Sequence, residues 1–296
     1  MVQRRWLESL KAWVPRWRSS VTGRADFQRN ATRFVLRVLA GLGITALGFG
    51  LVIWLGTLRY YNLGYAESIL PGLGQGFLVT IRLVAVVIPL GFALGFLFGW
   101  ARTTRSLILR GLGAAYVEVF RGLPPIVLIF FSYLITTLAI LNISKNPFIA
   151  GDVALWMGAI ALSLHSGAYQ TEIIRAGILS VPTGQIEAAD SVGLSRWQTM
   201  FRVTLPQAFR VSLPPLGNEF ASVIKDTSLL NIIGWLDLAQ IGLLQVPAAL
   251  KADFNLVFII WIEIALLYFV LTFVVTKVVR FVENAYKVPG LEAAEL

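Results

Sequence analysis

Long apolar runs, separated by short segments rich in arginine, organise this chain. Residues 38–58 carry no charge, and residues 69–101 carry only Arg82. A third run rises from about Arg110 and contains the uncharged stretch 122–144, and a fourth includes 153–171. A fifth, about 207–235, is more polar because it holds Glu219, Lys225 and Asp226. The sixth, about 254–276, is interrupted only by Glu263. Each run is near the roughly 20 residues that a helix needs to cross the hydrocarbon of a bilayer. The pattern therefore predicts an all-α, polytopic membrane protein of about six transmembrane helices.

Composition agrees. Of 296 residues, 57% are hydrophobic and only 14% charged, and the mean hydropathy is +0.74. A water-soluble domain is about 45–50% apolar and about 25% charged. The absence of cysteine and the single histidine, His165, exclude disulfide frameworks, thiolate zinc sites, iron–sulfur clusters and multi-histidine metal sites; no metal site is expected. The net charge of +9 matters through its distribution. If all six runs cross, one side of the membrane collects 20 of the 25 basic residues. Arg59, Lys145 and Lys251 fall on the other side, and Arg82 and Lys225 lie inside spans. The positive-inside bias places both termini in the cytoplasm and makes nucleic acid an unneeded partner. The basic segment 1–34, interrupted by Pro15 and Gly23, is too long for the charged start of a secretory signal. It reads either as a cytoplasmic helix with interfacial tryptophans Trp6, Trp13 and Trp17, since tryptophan and arginine together suit a headgroup layer, or as a mostly disordered tail.

Between the fourth and fifth runs lies a segment, 180–206, too long and too well punctuated for a plain connector. Residues 185–192 form a short predicted helix stopped by Gly193. Ser195, with Gln198 three residues on, is a capping-box start for a second helix. That helix spaces Trp197, Met200, Phe201 and Thr204 so that they share one face. Leu205-Pro206 ends it and begins the next span. The prediction is a helix–turn–helix lying along the cytoplasmic surface.

The residues of this loop resemble the EAA coupling loop of ABC importer permeases. Glu187-Ala188-Ala189 is followed after three residues by Gly193 and after nine more by Val203-Thr204-Leu205-Pro206. Valine stands at 203 where the family usually has isoleucine. Ser166-Gly167-Ala168-Tyr169 with Glu172, Arg175 and Gly177, then Val181-Pro182, is similar to a stretch of the polar amino acid permeases, whose members carry histidine, glutamate, glutamine, arginine or opines. Phe120-Arg121-Gly122-Leu123-Pro124, the run from Leu213 to Glu219, and the run from Lys225 to Leu229 match the same branch. The resemblance covers roughly three quarters of the chain. It implies a permease core at 68–284 with its coupling loop at 180–206, an additional transmembrane helix at 35–60 and a cytoplasmic tail at 285–296.

The resemblance further implies a multi-pass subunit of a prokaryotic inner or plasma membrane, which works with two copies of an ABC ATPase. It implies a second permease chain, identical or paralogous, and an extracytoplasmic binding protein that delivers an amino acid. Glu187, Ala188, Ala189, Gly193, Leu205 and Pro206 would dock the ATPase. The chain itself is not expected to be an enzyme: no lysine follows a glycine, so no phosphate loop is present. No cofactor is expected in this chain, ATP and magnesium being bound by the partner ATPase.

A pathway through lipid must be lined by polar groups. The fourth run offers Ser163, Ser166, Tyr169 and Gln170; the fifth offers Asn218, Glu219, Lys225, Asp226, Thr227 and Ser228. For an amino acid, Glu219 and Asp226 suit the ammonium, and Lys225, Thr227 and Ser228 suit the carboxylate. The Lys225–Asp226 pair would equally serve to fix a helix end or a seam between chains. Two other readings are weaker. A secondary transporter is expected to show two similar halves, which are absent, and a membrane enzyme needs a catalytic constellation that the spans do not supply.

Overall fold

The computed structural model describes residues 24–57, 62–144 and 146–286. The arm before residue 24, with its three tryptophans, and the tail beyond residue 286 lie outside them. By its contacts the chain divides into two units: Met1–Leu58 together with Asn284–Leu296, and Arg59–Glu283. In the first, α1 runs over Arg24–Thr57, and its stretch Val35–Leu51 is apolar. The second holds α2 (Leu63–Ala101), α3 (Leu107–Gly122), α4 (Pro125–Ser144), α5 (Pro147–Leu179), α6 (Thr183–Ser191) and α7 (Arg196–Thr199). A π-helical turn (Met200–Thr204), α8 (Leu205–Asp226), a 3₁₀ segment (Thr227–Ile233), α9 (Leu238–Ala252) and all but the last three residues of α10 (Asn255–Tyr286) complete it. No strand occurs among the described residues, so the fold is all-α.

Among the described residues three helical stretches are long and apolar enough to cross a bilayer: Leu63–Ala101, Pro125–Ile143 and Asn255–Ala285. A fourth joins them if the stretch Arg196–Ile233 and α9, bent by 54°, are taken as one broken span. The third predicted run is two helices rather than one. Leu123 is extended (φ −104°, ψ 140°) because a residue before proline is pushed out of the helical region, and Pro125 then opens α4, where a missing N–H costs nothing.

α5 is 33 residues long and occupies the middle of the second unit, packed on α2, α4 and α8. Protein on several sides explains why it tolerates Ser163, His165, Ser166, Gln170 and Thr171, all buried. Ser163 and Thr171 donate to carbonyls one turn back, at 2.9 and 2.8 Å. Its close approach to α2 depends on glycines at four-residue spacing, Gly91, Gly95 and Gly99. A Cβ on Gly95 would lie 2.6 Å from Cβ of Gln170, and one on Gly99 would lie 3.0 Å from Ile174. Such a small-residue stripe replaces the hydrophobic drive that lipid removes with backbone-close van der Waals contact. Gly95→Leu is accordingly expected to destabilise the chain by at least the 1–3 kcal/mol typical of overpacking, read as a lower unfolding temperature in detergent.

The fifth run does not end at Trp235. α8 tightens into the 3₁₀ segment, Gly234 turns the chain at φ +97°, and Asp237 caps α9 by accepting from the Gln240 amide at 3.0 Å. The break is held from two sides. Tyr268 of α10 donates to Asp237 at 2.9 Å, and Thr80 of α2 accepts from the Leu238 amide at 3.1 Å. Gly76 leaves room for this crossing, since a Cβ there would be 2.9 Å from the Asp237 carbonyl oxygen. Ala66, Ile69 and Leu73 of α2, Leu238 and Ala249 of α9, and Leu256, Ile259, Ile260 and Ile264 of α10 form the surrounding apolar cluster. The sequence reading treats α9 as loop, yet Asp237 followed three residues later by Gln240 is a start signal of the capping type.

Candidate functional site: a polar seam and a cytoplasmic hairpin

Four of the polar candidates meet where α5 faces α8, or lie beside that point. Ser166 donates to Glu219 Oε1 at 2.9 Å, and Gln170, one turn along α5, donates to the Ser166 hydroxyl at 2.9 Å. The chain of donors leads to the carboxylate, so Glu219 is held in place through a side chain from the other helix. Ser166 and Gln170 are buried, whereas Glu219 is half-exposed. Gln170 Oε1 is enclosed without a hydrogen-bond partner. Tyr169, half-buried, turns its ring toward His165 (5.2 Å between centroids) and carries the guanidinium of Arg121 on its face at 4.7 Å.

α3 is fastened to this seam by two long-range bonds. The Tyr116 hydroxyl donates to the Leu164 carbonyl at 2.7 Å, and His165 Nδ1 lies 2.7 Å from the Phe120 carbonyl oxygen. The histidine therefore donates from that nitrogen, and its role is to join helices. The seam thus brings together both signs of charge beside an aromatic face.

The remaining candidates diverge. Asn218 and Lys225 are exposed, and Asp226 is half-exposed at the end of α8. Thr227 is buried and donates to the Ile224 carbonyl at 2.7 Å; Ser228 donates to the Lys225 carbonyl at 2.7 Å. Both hydroxyls close the helix-to-3₁₀ transition, which leaves them backbone partners at that point. Arg121 was not among the candidates read from the sequence. Its position in the last turn of α3, after a half-buried Phe120, only acquires meaning through contact with a residue 48 positions later.

The hairpin forms as its punctuation predicts. α6 ends before Gly193, which adopts φ +80°, and Ser195 with Gln198 makes both bonds of a capping box. Glu187 and Ala188 are exposed on α6, whereas Ala189 is 5% exposed and packs inward. Gln207 of α8 donates to Gln185 of α6, tying the hairpin to the long helix beyond it. The next helix, α8, begins at Leu205-Pro206 as predicted, with Pro206 in its first turn, but α7 runs into it through the π-helical turn without a break. Leu205 packs beside Ile174, Ile178, Val181 and Ala208, and Pro206 is exposed. The apolar face is only partly covered: Trp197 and Phe201 are 62% and 54% exposed, stacked on each other and edge-on to Trp100 of α2. Above the hairpin Glu172 of α5 pairs with both Arg102 and Arg175, which clasps the ends of α2 and α5.

Comparison with known proteins gives this arrangement relatives. A family described as the inner membrane component of binding-protein-dependent transport systems matches residues 88–288. The L-cystine transport system permease protein TcyB of Bacillus subtilis (strain 168) is 36% identical over 218 residues, 74% of this chain and 88% of that protein. The glutamine transport system permease protein GlnP of Escherichia coli (strain K12) is 33% identical over 219 residues, 74% of this chain and 94% of that protein. A crystal structure of an amino acid ABC transporter with histidines superposes with a TM-score of 0.62 at 28% identity, over 76% of this chain and 98% of the other. A methionine ABC transporter in inward-facing form shares the fold, with a TM-score of 0.60 at 19% identity over 75% of this chain and 99% of the other.

Proposed function

This chain belongs to the binding-protein-dependent transport system inner membrane components, and we infer that it is the permease subunit of an ATP-driven importer for a polar or charged amino acid. As a member it is a multi-pass protein of the inner membrane. In this reading two ABC ATPase subunits, which hold the ATP and magnesium, bind on the cytoplasmic side. A second permease chain completes the pathway, and an extracytoplasmic binding protein loads it. The relatives named above belong to L-cystine and glutamine transport systems, and the similar solved structure is that of an amino acid ABC transporter with histidines. The permease core is 68–284, preceded by a basic cytoplasmic arm and an additional helix.

One observation carries the reading. Glu187 and Ala188 stand exposed on a short helix whose loop is continuous with α5 on one side and, through the π-helical turn, with α8 on the other. A partner that moves this hairpin moves both helices that form the polar seam. Glu187, Ala188 and Gly193 present the docking surface, with Ala189, Leu205 and Pro206 seating it. Ser166, Tyr169, Gln170 and Glu219 line the substrate path in this reading, with Lys225 and Asp226 adding charge at the end of α8, while Thr227 and Ser228 bond backbone carbonyls there and Asn218 is exposed. A photo-crosslinking amino acid at position 188 tests the docking. It should trap the ATPase in an ATP-dependent manner, and trapping of lipid alone would count against the reading.

In this reading the side rich in basic residues is cytoplasmic, and both termini lie there. Reporter fusions at either end are expected to report cytoplasmic locations, and an external signal from one end would require an odd number of crossings.

A further inference from the structure

Arg121 brings a positive charge to the polar seam. It is exposed at the end of α3, and among the described residues it joins no ion pair, while Glu172 pairs with both Arg102 and Arg175. Its guanidinium rests on the Tyr169 ring at 4.7 Å. Tyr169 lies one turn along α5 from Ser166, whose hydroxyl holds Glu219 at 2.9 Å, so the guanidinium stands beside the polar seam. Its backbone is also fixed: Tyr116 and the Phe120 carbonyl, five and one residues before it, are the points at which α3 is bonded to α5. Resting on the ring face, the guanidinium can offer its N–H groups to a planar carboxylate in two parallel hydrogen bonds.

We propose that Arg121 receives the carboxylate of the amino acid in transit, while Glu219, positioned by Ser166 and Gln170, takes its ammonium. The proposal rests on the amino acid reading above and sharpens it. The site recognises the α-amino acid group common to the class through two opposite charges on α3 and α8, with the Tyr169 ring under Arg121. Side-chain selection is left to the binding protein and to the second permease chain. Phe120-Arg121-Gly122 thereby acquires a task that its place in the sequence does not disclose.

The test uses the assembled transporter in nanodiscs and phenylglyoxal, which modifies accessible guanidinium groups, with each arginine followed by peptide mass spectrometry. A mixture of the twenty L-amino acids and L-cystine should slow modification of Arg121 severalfold, and the same mixture as α-amides should not. Arg102, already paired, serves as the internal control. Arg121→Gln should raise the KM for uptake by about ten- to a hundredfold, the size of a lost charge-assisted hydrogen bond. Arg121→Lys, which keeps the charge but not the fork, should fall between. Equal modification of Arg121 under both mixtures, in a wild-type complex that still takes up amino acid, overturns the assignment and leaves the importer reading standing. Should the variants fail to assemble, the protection measurement on the wild type still decides. A wild-type complex that takes up no amino acid removes both.

Discussion

Glu187→Arg and Gly193→Leu are each expected to abolish ATP-driven uptake while the chain remains in the membrane at normal abundance. The two act by different means. Glu187 is exposed, so reversing its charge leaves the fold of this chain alone and alters only what approaches α6. Gly193 sits at φ +80° with open space around it, so a larger residue meets no clash; what opposes it is the backbone itself. A non-glycine residue in the left-handed region costs roughly 1–2 kcal/mol, enough to reopen the turn between α6 and α7 and misalign a short hairpin. Uptake in membrane vesicles, normalised to the amount of permease, reads both. Wild-type rates in both variants would remove the docking role. Loss of the protein from the membrane would instead make the loop a folding element.

Glu219→Gln should lower uptake by about ten- to a hundredfold, from the loss of a charge-assisted hydrogen bond worth roughly 1.5–3 kcal/mol. Asp226→Asn and Lys225→Met should lower it less. The order follows from placement. Glu219 is gripped by Ser166 at 2.9 Å and faces the seam, while Lys225 is exposed and Asp226 stands at the end of α8. Glutamine at 219 can still accept from Ser166, so the seam is preserved and the charge alone is removed. The decisive comparison is ATPase activity stimulated by the loaded binding protein. Stimulation that persists while uptake falls assigns Glu219 to substrate handling. A complex that fails to assemble assigns it to the helix seam.

Much of this was legible because short-range chemistry fixes it. The hairpin announces itself through Gly193 and the Ser195–Gln198 box, both of which need only neighbours in sequence. The all-α class follows from apolar runs of spanning length. What escaped was decided by contacts distant along the chain. α5 reads as one span among six, yet its polar residues show it to be enclosed by other helices. Gly91, Gly95 and Gly99 carried a small-residue signal for that enclosure, but which helix they receive depends on residues 163–174. The bend after α8 could not be read from hydropathy, because α9 continues the apolar pattern at a new angle set by Gly234, Asp237, Thr80 and Tyr268. Lys225, Asp226, Thr227 and Ser228 look like a continuous polar stretch in sequence. The change from α to 3₁₀ geometry at Thr227 separates them, turning Thr227 inward and Lys225 outward.

The most direct measurement is uptake into proteoliposomes that contain this chain, its second permease chain and the ATPase, with the binding protein outside and ATP inside. The account predicts accumulation of the amino acid only when ATP, the ATPase and the binding protein are all present. An imposed proton or sodium gradient should not replace them. Accumulation driven by an ion gradient in liposomes lacking the ATPase would contradict it.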